Sequence, residues 1–346
     1  MVSILTDIVL IITGFMMLLF AGVVLGQNKG QAISRYLLAG FLLTKALLII
    51  RWSIFRFEIL SFESFRYLFY NSATLFFLLA PWLYLYVRSI CYKHFKLTAR
   101  SLAHALPFLV VTAVTFGILL TEDEPGQPAF LSYASNHYWQ LFWGFNFLQT
   151  LGYILAMLMV IRSYHLKIKE SYSNINQMKL NWLNGLILLI ILHWIFVVTK
   201  GSITIFQPDA TNLGHLIDLF SIIIFLTFVS ILVIRGLIHI NIFNGVVANN
   251  NHYPKLSQGE AIIVYETVLD FMQRNKPYLL PTLSLDQLST QVSIPAWQIS
   301  YAINHMTGQN FFSFINAYRV KEAQKKLEAA GDSKLTVLEI LYDVGF

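Results

Sequence analysis

The sequence predicts an all-α protein in two bodies: a seven-helix transmembrane bundle followed by a helical cytoplasmic domain. Three observations carry this. Of 346 residues, 56% are hydrophobic and only 12% charged, about half the roughly 25% usual in soluble domains. The charge is uneven: residues 1–254 hold 16 Lys+Arg and 9 Asp+Glu, net +7, whereas residues 255–346 hold 8 and 9, net −1. Apolar stretches long enough to cross a bilayer, about 20 residues each, recur up to residue 234 and not beyond. Such a composition excludes an ordinary soluble enzyme and a disordered chain.

Seven spans are expected: Ile4–Gly26, Ile33–Ile50, Phe65–Val87, Leu102–Leu120, Tyr138–Ile161, Trp182–Ile203 and Leu213–Ile234. Pro81 falls inside the third and Pro107 near the start of the fourth, which a bundle tolerates when neighbouring helices satisfy the freed carbonyls. The first run has no Lys or Arg before it, so it lacks the basic head of a cleavable signal peptide. The single cysteine, Cys91, cannot form an internal disulfide.

The loops give an orientation. The first, third and fifth, counted with the adjoining span ends, hold ten basic residues: Lys29, Arg35, Arg88, Lys93, Lys96, Arg100, Arg162, Lys167, Lys169 and Lys179. The second, fourth and sixth, counted the same way with their span ends, hold four, Arg51, Arg56, Arg66 and Lys200, and the fourth is acidic at Glu122, Asp123 and Glu124. The positive-inside rule puts the odd loops in the cytoplasm. The expected location is a bacterial inner membrane, with the N-terminus outside and the C-terminus inside. Residues 1–235 then form a sensor domain and 236–258, with three consecutive asparagines at 249–251, a linker.

From residue 259 the pattern changes to short amphipathic helices. Glu260–Asn275 carries an apolar stripe and Pro277 stops it. Ser284 with Gln287 forms a capping-box pattern opening a helix to about Val292. Ser293-Ile294-Pro295 turns the chain into a helix over Pro295–Met306, ended at Gly308. Phe311–Ala330 and Leu335–Val344 follow. Two short helices joined by a tight turn are the helix-turn-helix layout.

The stretches KPYLLPTLSLDQLS (276–289), SIPAWQISYAINHMTGQNFFSFINAYRVKEAQKKL (293–327) and LTVLEILYDVGF (335–346) resemble the AraC/XylS-type DNA-binding domain. APWLYLYVRS (80–89) and HALPF (104–108) are similar to segments of the multi-span domain fused to some members. The resemblance implies two helix-turn-helix units joined by a long helix, and a membrane-bound one-component transcription regulator. It places base contacts on Ala296, Trp297, Ser300, Tyr301 and Asn304, and matches Arg319 to a family arginine that bonds phosphate or holds the two halves together. Trp297 packing within its own domain, and a salt bridge from Arg319, are the alternatives that the residues themselves offer. The family continues past the Gly-Phe at 345–346 with a second recognition helix, so the second unit is expected to be incomplete here. With no Lys or Arg in Pro295–Met306, promoter DNA is expected to bind weakly and with little sequence preference.

Ionisable and amide groups inside spans mark functional candidates. Lys45, Asn71, Asn146, His193 and Asp218 lie on five different spans, roughly 7–17 Å below the outer surface at 1.5 Å per residue. They suggest a pocket for a small-molecule or lipid signal, with Lys45 and Asp218 coupled as opposite charges. Snorkelling of Lys45 and ordinary interhelical hydrogen bonds are the other reading. No Ser/His/Asp set, phosphate loop or His-Glu-x-x-His run appears, and His104, His193 and His215 lie on different spans. Neither an enzyme, a cofactor nor a metal is therefore expected. The remaining partners are the lipid bilayer and a second copy of the chain in a homodimer. The rival to a regulator is a membrane receptor or transporter-like protein whose tail is only an interaction module.

Overall fold

The computed structural model describes residues 2–28, 31–59, 62–92, 95–121, 129–174, 181–206, 211–238, 256–330 and 336–346. Every regular element among them is a helix. The expected linker falls largely outside them, as do the acidic residues at 122–124, Lys93, Lys179 and Leu335.

Two compact units divide the chain: Met1–Ile161 with Asn181–Gly245, and Arg162–Leu180 with Val246–Phe346. The short segment 162–180 thus groups with the tail, a membership that a reading of spans and loops in linear order does not contain.

Among the described residues the first unit holds seven helices long and apolar enough to cross a membrane: Val2–Leu25, Ala32–Arg56, Tyr67–Cys91, Ala99–Leu120, His137–Ser171, Trp182–Ile203 and Asn212–Arg235, the fifth ending in the second unit. Each overlaps its expected span. The corresponding elements are α1 (Val2–Leu25), α2 (Ala32–Arg56), α3 (Phe62–Ala73), α4 (Phe76–Cys91), the short α5 (Ala99–Leu102), α6 (Leu106–Thr121), α7 (Ala129–Ser171), α8 (Asn181–Phe206) and α9 (Thr211–Ile238). A single 3-10 turn, Ala103–Ala105, joins α5 to α6.

α2 runs longer than the expected 33–50, so Arg51 and Arg56 lie on its last turns rather than in a loop. The third span is broken between α3 and α4, where Thr74 and Leu75 donate to the carbonyls of Asn71 and Ser72. Pro81 sits within α4 and has no N–H to give to the Phe77 carbonyl. That carbonyl instead accepts from Gln149 Nε2 on α7 at 3.1 Å.

α2 packs against both α1 and α4, and α9 against both α1 and α8. α7 reaches α4 through the Phe77–Phe142 edge contact and α8 through Phe147 beneath Gly201. Six spans thereby surround a common interior. The α1–α2 approach requires Gly14, since a Cβ there would lie 2.8 Å from Ile49 Cγ2. Span hydroxyls close locally: Thr13, Thr44 and Thr227 each bond the carbonyl four residues back, the usual way such groups are satisfied in a bundle.

The second unit contains α10 (Gln258–Asn275), α11 (Leu285–Val292), α12 (Ala296–Thr307), α13 (Phe311–Ala330) and α14 (Val337–Asp343). Local chemistry explains the starts. Ser257–Glu260, Ser284–Gln287 and Thr336–Glu339 are reciprocal capping boxes, each satisfying two backbone donors. The Ser284 box and the α13 bounds are as expected. Val268, Met272, Leu288, Ile299, Ile303, Phe311 and Ile315 form the core. Ile340 on α14 and Val344 just after it are buried against Ala323 of α13, while Leu338 is exposed.

Candidate functional site

In the first unit a cavity of about 610 Å3 opens among α1, α2, α4, α7, α8 and α9. It lies at the end of the bundle where α1 and α9 begin and α2 and α8 finish. Its volume is mid-range for small-molecule pockets, about 300–1,000 Å3, and its largely apolar and aromatic wall is interrupted by a set of charged and polar side chains. Lys45, Asn146, His193 and Asp218 all line it. Asn71 does not. It lies beside the α3–α4 break, where its main-chain carbonyl takes Thr74, and its Oδ1 is buried without a partner.

The charges pair differently from expectation. Asp218 accepts from Lys200 Nζ at 2.5 Å, not from Lys45. Gly214, one turn from Asp218, leaves the room that the Lys200 side chain occupies. A second pair, Asp7 with Arg56 at 3.1 Å, joins α1 to α2, and Arg56 also donates to Ser3 Oγ. Among the described residues Lys45 has no acid beside it: its ammonium lies 4.6 Å from the Phe225 ring centre and 5.8 Å from that of Phe76. Arg51 donates to the Phe69 carbonyl at 2.9 Å, stacks over the Phe69 ring, and leaves Nε buried without a partner.

His193 Nδ1 meets Ser221 Oγ at 2.9 Å and the Ser221 carbonyl at 3.1 Å, tying α8 to α9. His104 Nδ1 meets Tyr153 OH at 2.7 Å. Both histidines are hydrogen-bonded between spans, and no metal-holding cluster occurs among the described residues. Sequence reasoning missed Asp7, Arg51, Arg56, Lys200 and Ser221 as wall residues. Arg51, Arg56 and Lys200 sit at span ends that the sequence assigns to loops, whereas Asp7 lies inside the first expected span.

In the second unit α12 turns Ile299, Ala302 and Ile303 into the core. Trp297, Ser300, Tyr301 and Asn304 follow one another at helical spacing on another face. Asn304 is exposed, the others are half-buried, and Tyr301 stacks on His305. Ala296 departs from expectation: it packs against the core instead of standing free.

Arg319 on α13 is 1% exposed. Its five N–H groups are all engaged. Nε donates to the Tyr278 carbonyl at 2.7 Å, Nη2 to the Leu280 carbonyl at 2.8 Å and to Ser173 Oγ at 3.0 Å, and Nη1 to the Ser173 carbonyl and Asn316 Oδ1, each at 3.2 Å. No carboxylate is among these partners, and none of these donors is left for a phosphate. Burial pushes its pKa down to about 10, so it stays charged at neutral pH. Ser173 is held in turn by the Leu283 carbonyl, which accepts its N–H at 3.1 Å and its hydroxyl at 2.6 Å. The Gly345 φ is +94°, and a Cβ there would sit 2.8 Å from the Tyr278 and Leu279 carbonyls. That glycine brings Phe346 under the Arg319 guanidinium, 5.8 Å away.

Comparison of the chain with protein-family models, with curated proteins and with solved structures finds no match.

Proposed function

We propose that the chain is a membrane-bound one-component transcription regulator of AraC/XylS type. In this reading the bundle takes up a signal from the outer side of a bacterial inner membrane, and the tail meets DNA in the cytoplasm. The observation that carries the DNA half is the α12 face: Trp297, Ser300, Tyr301 and Asn304 follow at helical spacing on a face other than the one Ile299, Ala302 and Ile303 turn into the core. Hydroxyl and amide groups of this kind hydrogen-bond base edges, and an indole packs on a thymine methyl. Lys321 and Lys325, exposed on α13, supply cations for phosphate. Ala296 and Arg319 are assigned to packing within the domain. The sensing half rests on the cavity that gathers Lys45, Asn146, His193 and Asp218.

The test is a mobility-shift titration of the purified full chain in nanodiscs with duplex DNA, at low and near-physiological salt. Binding is expected at low salt and to weaken steeply with salt, since neutralised phosphates release counterions. Ser300→Asp with Asn304→Asp puts two carboxylates on the face and is expected to reduce affinity about tenfold or more. No binding at low salt, or a variant that binds equally, transfers the tail to the interaction-module reading.

A further inference from the structure

Among the described residues the cavity wall carries four Lys or Arg cations and two carboxylates. Both carboxylates are already taken, Asp7 by Arg56 and Asp218 by Lys200. Lys45 and Arg51 remain, and among the described residues neither has an acid partner; each rests on aromatic faces. A ring face is a modest substitute for a counter-ion, and two net positive charges within an apolar bundle are costly. Around them the wall is aromatic and aliphatic: Phe41, Phe76, Leu83, Phe225.

From this juxtaposition we propose that the cavity binds an amphiphile with an anionic head and an apolar body, the head between Lys45 and Arg51. This rests on the reading of the cavity as the sensing site and names the chemistry that it recognises. The anion supplies the missing counter-charge, and the Lys45 ammonium, which makes no hydrogen bond among the described residues, donates to it. A neutral amphiphile of the same shape leaves both cations uncompensated. Two sources fit: a free amphiphilic acid, or the phosphate headgroup of an anionic lipid.

The experiment follows thermal unfolding of the full chain in phosphatidylcholine nanodiscs, titrated with decyl phosphate, decanol or decyltrimethylammonium. Decyl phosphate is expected to raise the midpoint saturably, as a ligand of the native state does, and the other two are not. Lys45→Met is expected to weaken decyl phosphate about tenfold or more, while Lys45→Arg retains it. Without ligand Lys45→Met is expected to be at least as stable as the parent, because an uncompensated cation has been removed. Nanodiscs containing phosphatidylglycerol separate the sources. A raised midpoint with no further response to decyl phosphate identifies the lipid, and an unchanged midpoint with the response intact identifies a free acid. Equal stabilisation by decanol, no stabilisation by any anion, or an undiminished response in Lys45→Met overturns the proposal. None of these readouts involves DNA, so the DNA-binding half stands or falls separately.

Discussion

At the scale of single residues, Arg319 shows how a buried cation is held without an acid. Its planar fork reaches three main-chain carbonyls, a hydroxyl and an amide oxygen at once. A carbonyl left buried and unpaired costs about 1–3 kcal/mol. Arg319→Met strands those of Tyr278 and Ser173, while the Leu280 carbonyl keeps the Leu283 N–H at 3.2 Å, and is expected to destabilise the second unit by on the order of 3 kcal/mol. Arg319→Lys is expected to recover only part, since one ammonium nitrogen cannot span the same carbonyls. Hydrogen exchange in the full chain checks this: the Ser173 and Leu283 segments should lose protection first. Unchanged protection in Arg319→Met would show that the fork contributes little. The same lesson applies to Lys45. Matching depth points to Asp218 as its partner, but Asp218 lies within reach of Lys200 on the adjacent helix, and that pair forms.

Among the elements, the third span shows a sequence breaker and its compensation on different helices. Pro81 withholds a donor, and Gln149 on α7 supplies one to the Phe77 carbonyl at 3.1 Å. Interhelical hydrogen bonds of this type are worth about 0.6–2 kcal/mol in a bundle. Gln149→Leu is expected to lower the thermal stability of the detergent-solubilised chain by about 1 kcal/mol. In a Pro81→Ala background, where position 81 regains an N–H for the helix, the same change should cost far less. A double-mutant cycle reads the coupling, and strictly additive effects would show that Gln149 does not serve that carbonyl. Capping, in contrast, was legible from neighbours alone: Ser284 and Gln287 pair as their spacing requires, because both partners belong to one turn.

For the molecule as a whole, the ten-to-four division of basic loop residues predicts a topology. A reporter fused after Gly126 should be periplasmic, and one fused after Ser171 or at Phe346 cytoplasmic. The cavity end of the bundle, where α1 begins, then faces outward, as a site for an external signal requires. A periplasmic Phe346 fusion would reverse the orientation and remove the tail from DNA.

Length, apolarity and capping determined the helical class, the seven apolar spans and the starts of α11 and α13, because each depends on residues a few positions apart. The gathering of Lys45, Asn146, His193 and Asp218 was also legible, since depth along a span follows from 1.5 Å per residue. Rotation about each helix axis does not follow from depth. It left Asn71 off the wall, brought Asp7, Arg56 and Lys200 onto it, and settled which charges pair. The clasp of Ser173 by Arg319, 146 residues apart, has no local signal at all. Only the tertiary structure decided it, because a guanidinium finds carbonyls wherever packing leaves them unpaired, and main-chain carbonyls look alike in any sequence.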